Sequence, residues 1–572
     1  MNVLGIHIGH DSSVTLVQNG KIIASAAEER FVGIKHYGGM PFKSLDSCFA
    51  MTGLSMELID KVAYTGHLND KRLNQFFELP LSASYSLKNG EMSLKAKVKS
   101  KIKDLILTYA SVPDYFPTFK MHKNCSIEYV PHHKAHAASA YYTSGNKKNK
   151  TLIITSDGAG EDGFSLTVWV GENGKLINKK SYPTSNSYGF FYGVVTEALG
   201  WWIGDGEGTT MGLAPYGDPA KVPDNVFDKI LPRFEGGRFI AEIDFGVIDS
   251  FLYQDTYHWH FSCVDIVKEL IQIYGRENIA AKAQEILELE MVKFIRYWQD
   301  ITGCDYCATA GGVFLNVKLN QKVINTDIFK DYYIYPDSGD AGISAGAALH
   351  SYLSPNPEKM ISLDRIRDVY WGAEYKDEEI KAILDERGLV YRKSDNIAAD
   401  IGRELADGKI VAWFQGRMEC GPRALGGRSI LFDARKAENK DVINSSVKFR
   451  EPFRPFCPSM KAECAGKYLK NADRIERYMI TAYDILPEKR EDIAAVTHVD
   501  GTCRPQMVEK EIYPRFWNLL DEYEKLTGVG VLMNTSFNIK GSPIVCNPRD
   551  AIKCFYDTGI QVLALGSFVL KK

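Results

Sequence analysis

The chain has 572 residues with 45% hydrophobic and 12% aromatic content, too long for one core and apolar enough to build several. Its formal net charge is −3, so no broad basic field marks it for nucleic acid or an anionic membrane. No stretch reaches the roughly 20 apolar residues of a spanning helix; the opening MNVLGIHIGHDSS lacks the basic and apolar regions of a signal peptide; and 11 scattered cysteines, an odd number, suit reduced thiols and a cytoplasmic location.

In chain order, the first element is NVLGIHIGHDSSVTLVQNGKIIASA from Asn2: an apolar strand, a polar loop with an aspartate, a second strand, Asn19-Gly20 and a third strand. The same order returns at Thr151 in TLIITSDGAGEDGFSLTVWVGENGKLINKKS, with Asn173-Gly174 at the turn. Asn-Gly is a strong two-residue hairpin signal because both positions tolerate positive φ. Two such meanders, each followed by helices, predict α/β architecture with the duplicated actin/hexokinase-like (ASKHA) design, whose two first-hairpin loops face each other across a nucleotide cleft.

Between the meanders lies VPHHKAHAASAYYTSG, residues 130–145. His132 and His136 fall at i and i+4, on one helical face, close enough to share an ion; the same spacing also suits an ordinary buried helix. Asp157 sits at the tip of the second-repeat strand, and Asp340, in YPDSGDAGIS, stands before a helix N-terminus. Two imidazoles and two carboxylates would suit Fe, Mn or Zn with positions left for phosphate oxygens. His133 is expected on another face.

GDGEGTTMGLAPYG, residues 204–217, is a second glycine-rich loop, which by itself also suits a plain surface loop. Residues 278–300 place Ile279, Ala283, Ile286, Leu287, Met291, Phe294, Ile295 and Trp298 on one stripe of a long helix. Cys304 and Cys307 form a lone CxxC without the second pair a zinc site wants, and read as small residues packed at a strand start. AGGVFLN follows; its Gly311 and Gly312 suit a loop approaching adenosine or phosphate. Residues 354–362, SPNPEKMIS, mark a boundary, beyond which a new α/β unit begins. That unit concentrates Arg417, Arg423, Arg428, Arg435, Lys448, Arg450 and Arg454, with KFREPFRPF interleaving cations, aromatics and prolines. Guanidinium forks match phosphate oxygens, and a small phosphorylated substrate fits better than a nucleic-acid groove or a solvated face.

HHxxHAASA, DGxGE, GGVxxN, DxGxAxGAA, GPRALGxRSI and KxREPFRPF together resemble the NodU-type O-carbamoyltransferases, over essentially the whole chain. The resemblance implies an ASKHA-like domain, residues 1–355, similar to the tRNA threonylcarbamoyl-transferase, followed by a YrdC-like domain, residues 365–572. It implies His132, His136, Asp157 and Asp340 as ligands of Fe(II) or another divalent metal, and ATP with Mg as cosubstrate. Lys35, Gly158, Gly311, Gly312 and Asn316 fall at nucleotide positions. Arg423, Lys448, Arg454, Arg504, Asn534 and Ser536 fall at carbamoyl phosphate positions, with Lys448 and Arg454 catalytic. His10 falls at the transfer site. The implied reaction cleaves carbamoyl phosphate to carbamate, activates carbamate with ATP as carbamoyl adenylate, and transfers the carbamoyl group to a hydroxyl of a natural product or sugar. Asp11, beside His10, is expected to cap its loop. Thr209 stands where the family often has Lys, and Gly33 where it often has Arg, which leaves acceptor identity open; a homodimer is allowed. The competing readings are a tRNA threonylcarbamoyl-type transferase, a nucleotide-switched structural module and a sugar kinase.

Overall fold

The computed structural model describes residues 1–66, 77–78, 119–120, 124–146, 148–253 and 256–572. Each meander forms a sheet of the same design. In the first, Lys21–Ala27, Ser13–Gln18, Asn2–Ile8, Lys61–Gly66 and Ser126–Tyr129 lie side by side in that order; in the second, Lys175–Pro183, Phe164–Glu172, Thr151–Ser156, Tyr306–Ala310 and Asp331–Ile334 do. In both, the first strand pairs antiparallel with the second and parallel with the fourth. This is the duplicated actin/hexokinase-like pattern. Asn19, Gly20, Asn173 and Gly174 all have positive φ (52°, 82°, 49° and 78°), as the two-residue hairpins require.

Two helices fill the space between the sheets: His132–Thr143 and Ile343–Leu353. Their small, largely apolar surfaces are almost wholly buried, as a helix with neighbours on every side demands. They pack so closely that a Cβ on Gly346 would stand 1.9 Å from the Ala135 carbonyl oxygen, and one on Gly5 would stand 2.0 Å from that of Ser344. Ser344 Oγ is also held to Ser13 Oγ at 2.9 Å and Thr15 Oγ1 at 2.8 Å. The long helix spans Arg276–Thr302, stops at a left-handed Gly303, and buries the whole stripe expected of it. Cys304 and Cys307 are buried apolar packing at the strand Tyr306–Ala310.

Beyond a short 3-10 helix at Pro357–Ser362, the C-terminal α/β unit is built on one mixed sheet of eight strands, Arg392–Lys393, Phe568–Lys571, Val562–Leu565, Val411–Phe414, Arg428–Asp433, Val531–Ser536, Cys457–Lys461 and Gln506–Val508 in spatial order. It is clamped to both lobes. Arg417 donates to Ile23 O at 3.0 Å and Trp371 O at 2.7 Å, and Asn320 Nδ2 donates to Ile480 O at 2.7 Å. Among the described residues, no helix is long and apolar enough to cross a membrane.

Candidate active site

One continuous cavity of about 950 Å³ opens between these units, and its two ends have opposite chemistry. At the N-terminal end, His132 and His136 project from the first turns of their helix toward Asp157, which follows the strand Thr151–Ser156, and Asp340, which precedes Ile343–Leu353. Their ligand atoms all lie within 4.8 Å of one another. His136 Nε2 lies 3.1 Å from His132 Nε2, 3.1 Å from Asp157 Oδ2 and 3.3 Å from Asp340 Oδ1. His132 Nδ1 faces Glu161 Oε2 at 2.7 Å, which favours a proton on Nδ1 and directs Nε2 into the cage.

Burial opposes charge on His132, but the Glu161 and Asp340 carboxylates outweigh it and raise its pKa well above the imidazole range. Burial likewise opposes charge on Asp157, and hydrogen bonds from the two histidines hold it well below the carboxylate range. The four groups therefore draw positive charge between them, and this donor set fits a borderline divalent metal. The imidazoles are buried, while the carboxylates, 19% and 16% exposed, face the more open side. His133 is buried apart, bonded to Thr155 Oγ1 at 2.6 Å and Phe164 O at 3.0 Å. Glu161, the last residue of the DGxGE motif and without a role assigned from the sequence, emerges as the group that orients His132.

Across the cavity, the first hairpin loop presents His10. Its ring stacks on His36 at 4.9 Å and meets Trp259 edge-on at 5.0 Å. Asp11 does not act as a simple loop cap. Its Oδ1 bonds His36 Nδ1 at 2.8 Å, while Oδ2 stands 3.5 Å from His10 Nε2, because the left-handed backbone at Asp11 (φ 60°) swings the carboxylate between the rings. Lys35 pairs with Asp205 on the cavity wall. Thr209 also lines the cavity, on a short helix Glu207–Leu213, so the glycine-rich stretch from 204 is part of the site and not a surface loop.

The expected nucleotide positions divide. Gly158 and Gly312 flank Asp157 and line the cavity. Gly311 lies behind them against the Ser156 backbone. Asn316 reaches the cavity but is committed locally: Oδ1 accepts from Leu319 N at 3.0 Å as a helix cap, and the side-chain amide exchanges hydrogen bonds of 2.9 and 3.0 Å with Gln284.

The other end is cationic. Arg423, Lys448, Arg450, Arg454 and Arg504 all line it. Burial and the charges of Arg504 and Arg454 push the Arg423 pKa down to about 9, and burial with Arg454 does the same to Arg450. Lys448 ends a π-helical turn, Asn444–Lys448, of the kind often found at functional sites. Its Nζ donates to Ser536 O, to Ser536 Oγ at 3.2 Å, to Asn538 O at 3.0 Å and to Asn538 Oδ1 at 2.7 Å. Asn538, two residues beyond Ser536, is not among the residues to which the sequence points. Asn534 turns its amide nitrogen away, donating to Ser459 Oγ at 2.9 Å and Ala424 O at 3.2 Å. Arg504 donates to Cys457 Sγ at 2.9 and 3.1 Å.

Three of the seven clustered cations have structural tasks instead. Arg417 clamps the domains, Arg435 forks onto Asp433, and Arg428, fully buried over the Phe414 ring, donates to four carbonyls. Buried Glu419 accepts the backbone N–H groups of Leu425, Gly427 and Arg428, shaping the loop that carries Arg423.

A family model described as "Carbamoyltransferase N-terminus" matches residues 2–349, and one described as "Carbamoyltransferase C-terminus" matches residues 402–572. The chain belongs to the carbamoyltransferase family. It is 33% identical to nodulation protein NolNO of Sinorhizobium fredii over 569 residues, 98% of this chain and 79% of that protein. It is 34% identical to nodulation protein NolO of Bradyrhizobium diazoefficiens over 446 residues, 77% of this chain and 78% of that one. Among solved structures, it is similar to the activator of 2-hydroxyisocaproyl-CoA dehydratase from Clostridium difficile with bound ADPNP, at 15% identity and a TM-score of 0.32, covering 64% of this chain and 99% of that one.

Proposed function

We propose that this carbamoyltransferase is an ATP-dependent O-carbamoyltransferase that works at both ends of one cavity. The observation that carries the reading is the cavity itself, which joins a cation-seeking His/Asp cage to an anion-seeking Arg/Lys cluster in one continuous space.

At the cationic end, Arg423, Arg454 and Arg504 would fork onto the phosphate of carbamoyl phosphate, with Lys448 stabilising charge that develops as a water molecule adds and the carbonyl–phosphate link breaks, giving carbamate, inorganic phosphate and a proton. Asn534 and Ser536 would hold the other face of the substrate. Carbamate, unstable in water, would cross the cavity to the N-terminal end. There its oxygen would attack the α-phosphorus of ATP, releasing pyrophosphate and giving carbamoyl adenylate, with AMP now a leaving group. His132, His136, Asp157 and Asp340 would hold a divalent metal, Fe(II) by the resemblance, which supplies charge stabilisation at the nucleotide phosphates. Gly158 and Gly312 would let those phosphates approach, and Lys35 would face the adenylate. His10 would take the proton of an acceptor hydroxyl as it attacks the carbonyl, and AMP would depart.

The test is incubation with carbamoyl phosphate, ATP and Mg, and a panel of hydroxylated metabolites. The expected result is AMP release matched by a product heavier by one carbamoyl group. AMP formation independent of carbamoyl phosphate would overturn the reading.

A further inference from the structure

We propose that Arg30 and Asp337 form a carbamate station part-way along the cavity: Arg30 takes the carboxylate of the crossing anion, and Asp337 accepts from its amino group. The inference rests on the carbamoyl-transfer reading above.

Both residues line the cavity, at the seam between the N-terminal lobes and the C-terminal unit. Arg30 stands on the short helix Glu29–Val32 that follows the first meander, and its Nη2 reaches across to donate to Gly421 O at 3.0 Å. Gly421 lies two residues before Arg423 of the cationic end. Asp337 lies three residues before the cage residue Asp340, and its Oδ1 would stand 3.6 Å from a Cβ placed on Gly421. The loops that serve the two ends therefore meet here. Cys420 Sγ, donating to Ser25 O at 3.1 Å, pins the seam.

Both side chains are buried with hydrogen-bonding capacity unspent. The Arg30 side chain is 9% exposed; its Nε faces Glu29 Oε1 at 3.0 Å, and its Nη1 has no hydrogen-bond partner. Glu29 is itself held by His36 N, which donates to its Oε2 at 3.1 Å. Asp337 is 5% exposed, and among the described residues its carboxyl group makes no hydrogen bond. A buried donor and a buried acceptor left unpaired are each costly. Side by side, they suit a ligand that carries the complementary pair. Carbamate does: two carboxylate oxygens for the guanidinium and two N–H groups for the acid. Asp337 offers an acceptor oxygen whether ionised or protonated, so the match does not depend on its charge. Burial, against the pull of Arg30, pushes its pKa up to about 7, which limits its repulsion of an anion. Inorganic phosphate, larger and poorer in donors, fits the pair badly and is left behind at the cationic end.

The test measures how much carbamate completes the crossing. Carbamate that escapes reacts with water to give ammonia and bicarbonate; carbamate that arrives releases pyrophosphate from ATP. Arg30→Gln keeps a donor for Gly421 O and loses the charge, whereas Arg30→Lys keeps the charge and loses the fork. With carbamoyl phosphate and ATP, pyrophosphate formed per phosphate released should fall about tenfold in Arg30→Gln, with ammonia rising to match. Arg30→Lys should retain most of the wild-type ratio. An unchanged ratio in Arg30→Gln, or equal losses in both variants, would overturn the proposal. If neither variant releases phosphate, wild-type crystals soaked in bicarbonate, which has the shape of carbamate, decide: bicarbonate between Arg30 and Asp337 supports the station, and none there overturns it. Failure of the underlying reading appears separately, as wild-type protein that forms no pyrophosphate in response to carbamoyl phosphate.

Discussion

The two ends of the cavity solve opposite problems with the same logic. One gathers carboxylates and imidazoles that hold positive charge between them; the other gathers guanidinium and ammonium groups, among them Arg423 and Lys448, whose pKa values fall because they are buried and, second, because they crowd one another. Buried like charges are costly without a counter-ion. Each end therefore suits a ligand of the other sign. The comparison teaches that division of labour here is electrostatic before it is chemical.

The largest expected break comes from the cationic end. Lys448→Ala or Arg454→Ala should lower phosphate release from carbamoyl phosphate by on the order of 1,000-fold, while synthetic carbamoyl adenylate is still consumed with acceptor. Equal failure with the adenylate would dissolve the distinction between the ends. At the cage, His132→Ala or His136→Ala should weaken metal binding by about 100-fold, read by elemental analysis, and stop carbamoyl adenylate formation. Glu161→Gln should give a milder loss of about tenfold, since it removes orientation and not a ligand. His10→Asn should keep adenylate formation and slow transfer by about 100-fold, as rapid-quench analysis of adenylate and product would show.

The smallest effect sharpens the comparison at its midpoint. Asp337 lies three residues before the cage residue Asp340 and beside Gly421, which is two residues before Arg423 of the cationic end. Burial pushes its pKa up to about 7 against the pull of Arg30. An acid whose pKa is raised on folding binds protons more tightly in the folded state, so stability falls as pH rises from the carboxylate range to about 7 and stays lowered above it. Asp337→Asn should therefore raise the melting temperature by on the order of 2 °C at pH 8 and leave it unchanged near pH 3, read by calorimetry.

Much of this was legible in the sequence where chemistry and periodicity coincide. The repeated meander needs only its strands and two Asn-Gly turns, and the His132/His136 pair needs only helical spacing. Distant supports were not legible. Nothing local says that Glu161 meets His132 or that His36 stacks on His10, because loops bring them together. Nor does composition separate Arg428, which anchors four carbonyls, from Arg423, which lines the cavity. Asn316 shows the converse: its motif points to nucleotide, while its amide is already spent on a helix cap and on Gln284.

The tight seam at Gly5 and Gly346 sets a manufacturing tolerance for the cage. His132 and His136 ride on one central helix, and Asp340 stands at the head of the other. With no room for a Cβ at either glycine, backbone meets backbone, and the spacing of the helices is gauged by covalent geometry. Substitutions on the outer surface leave that gauge untouched, whereas a single methyl group at Gly346 would spread the jaws that hold the ligands.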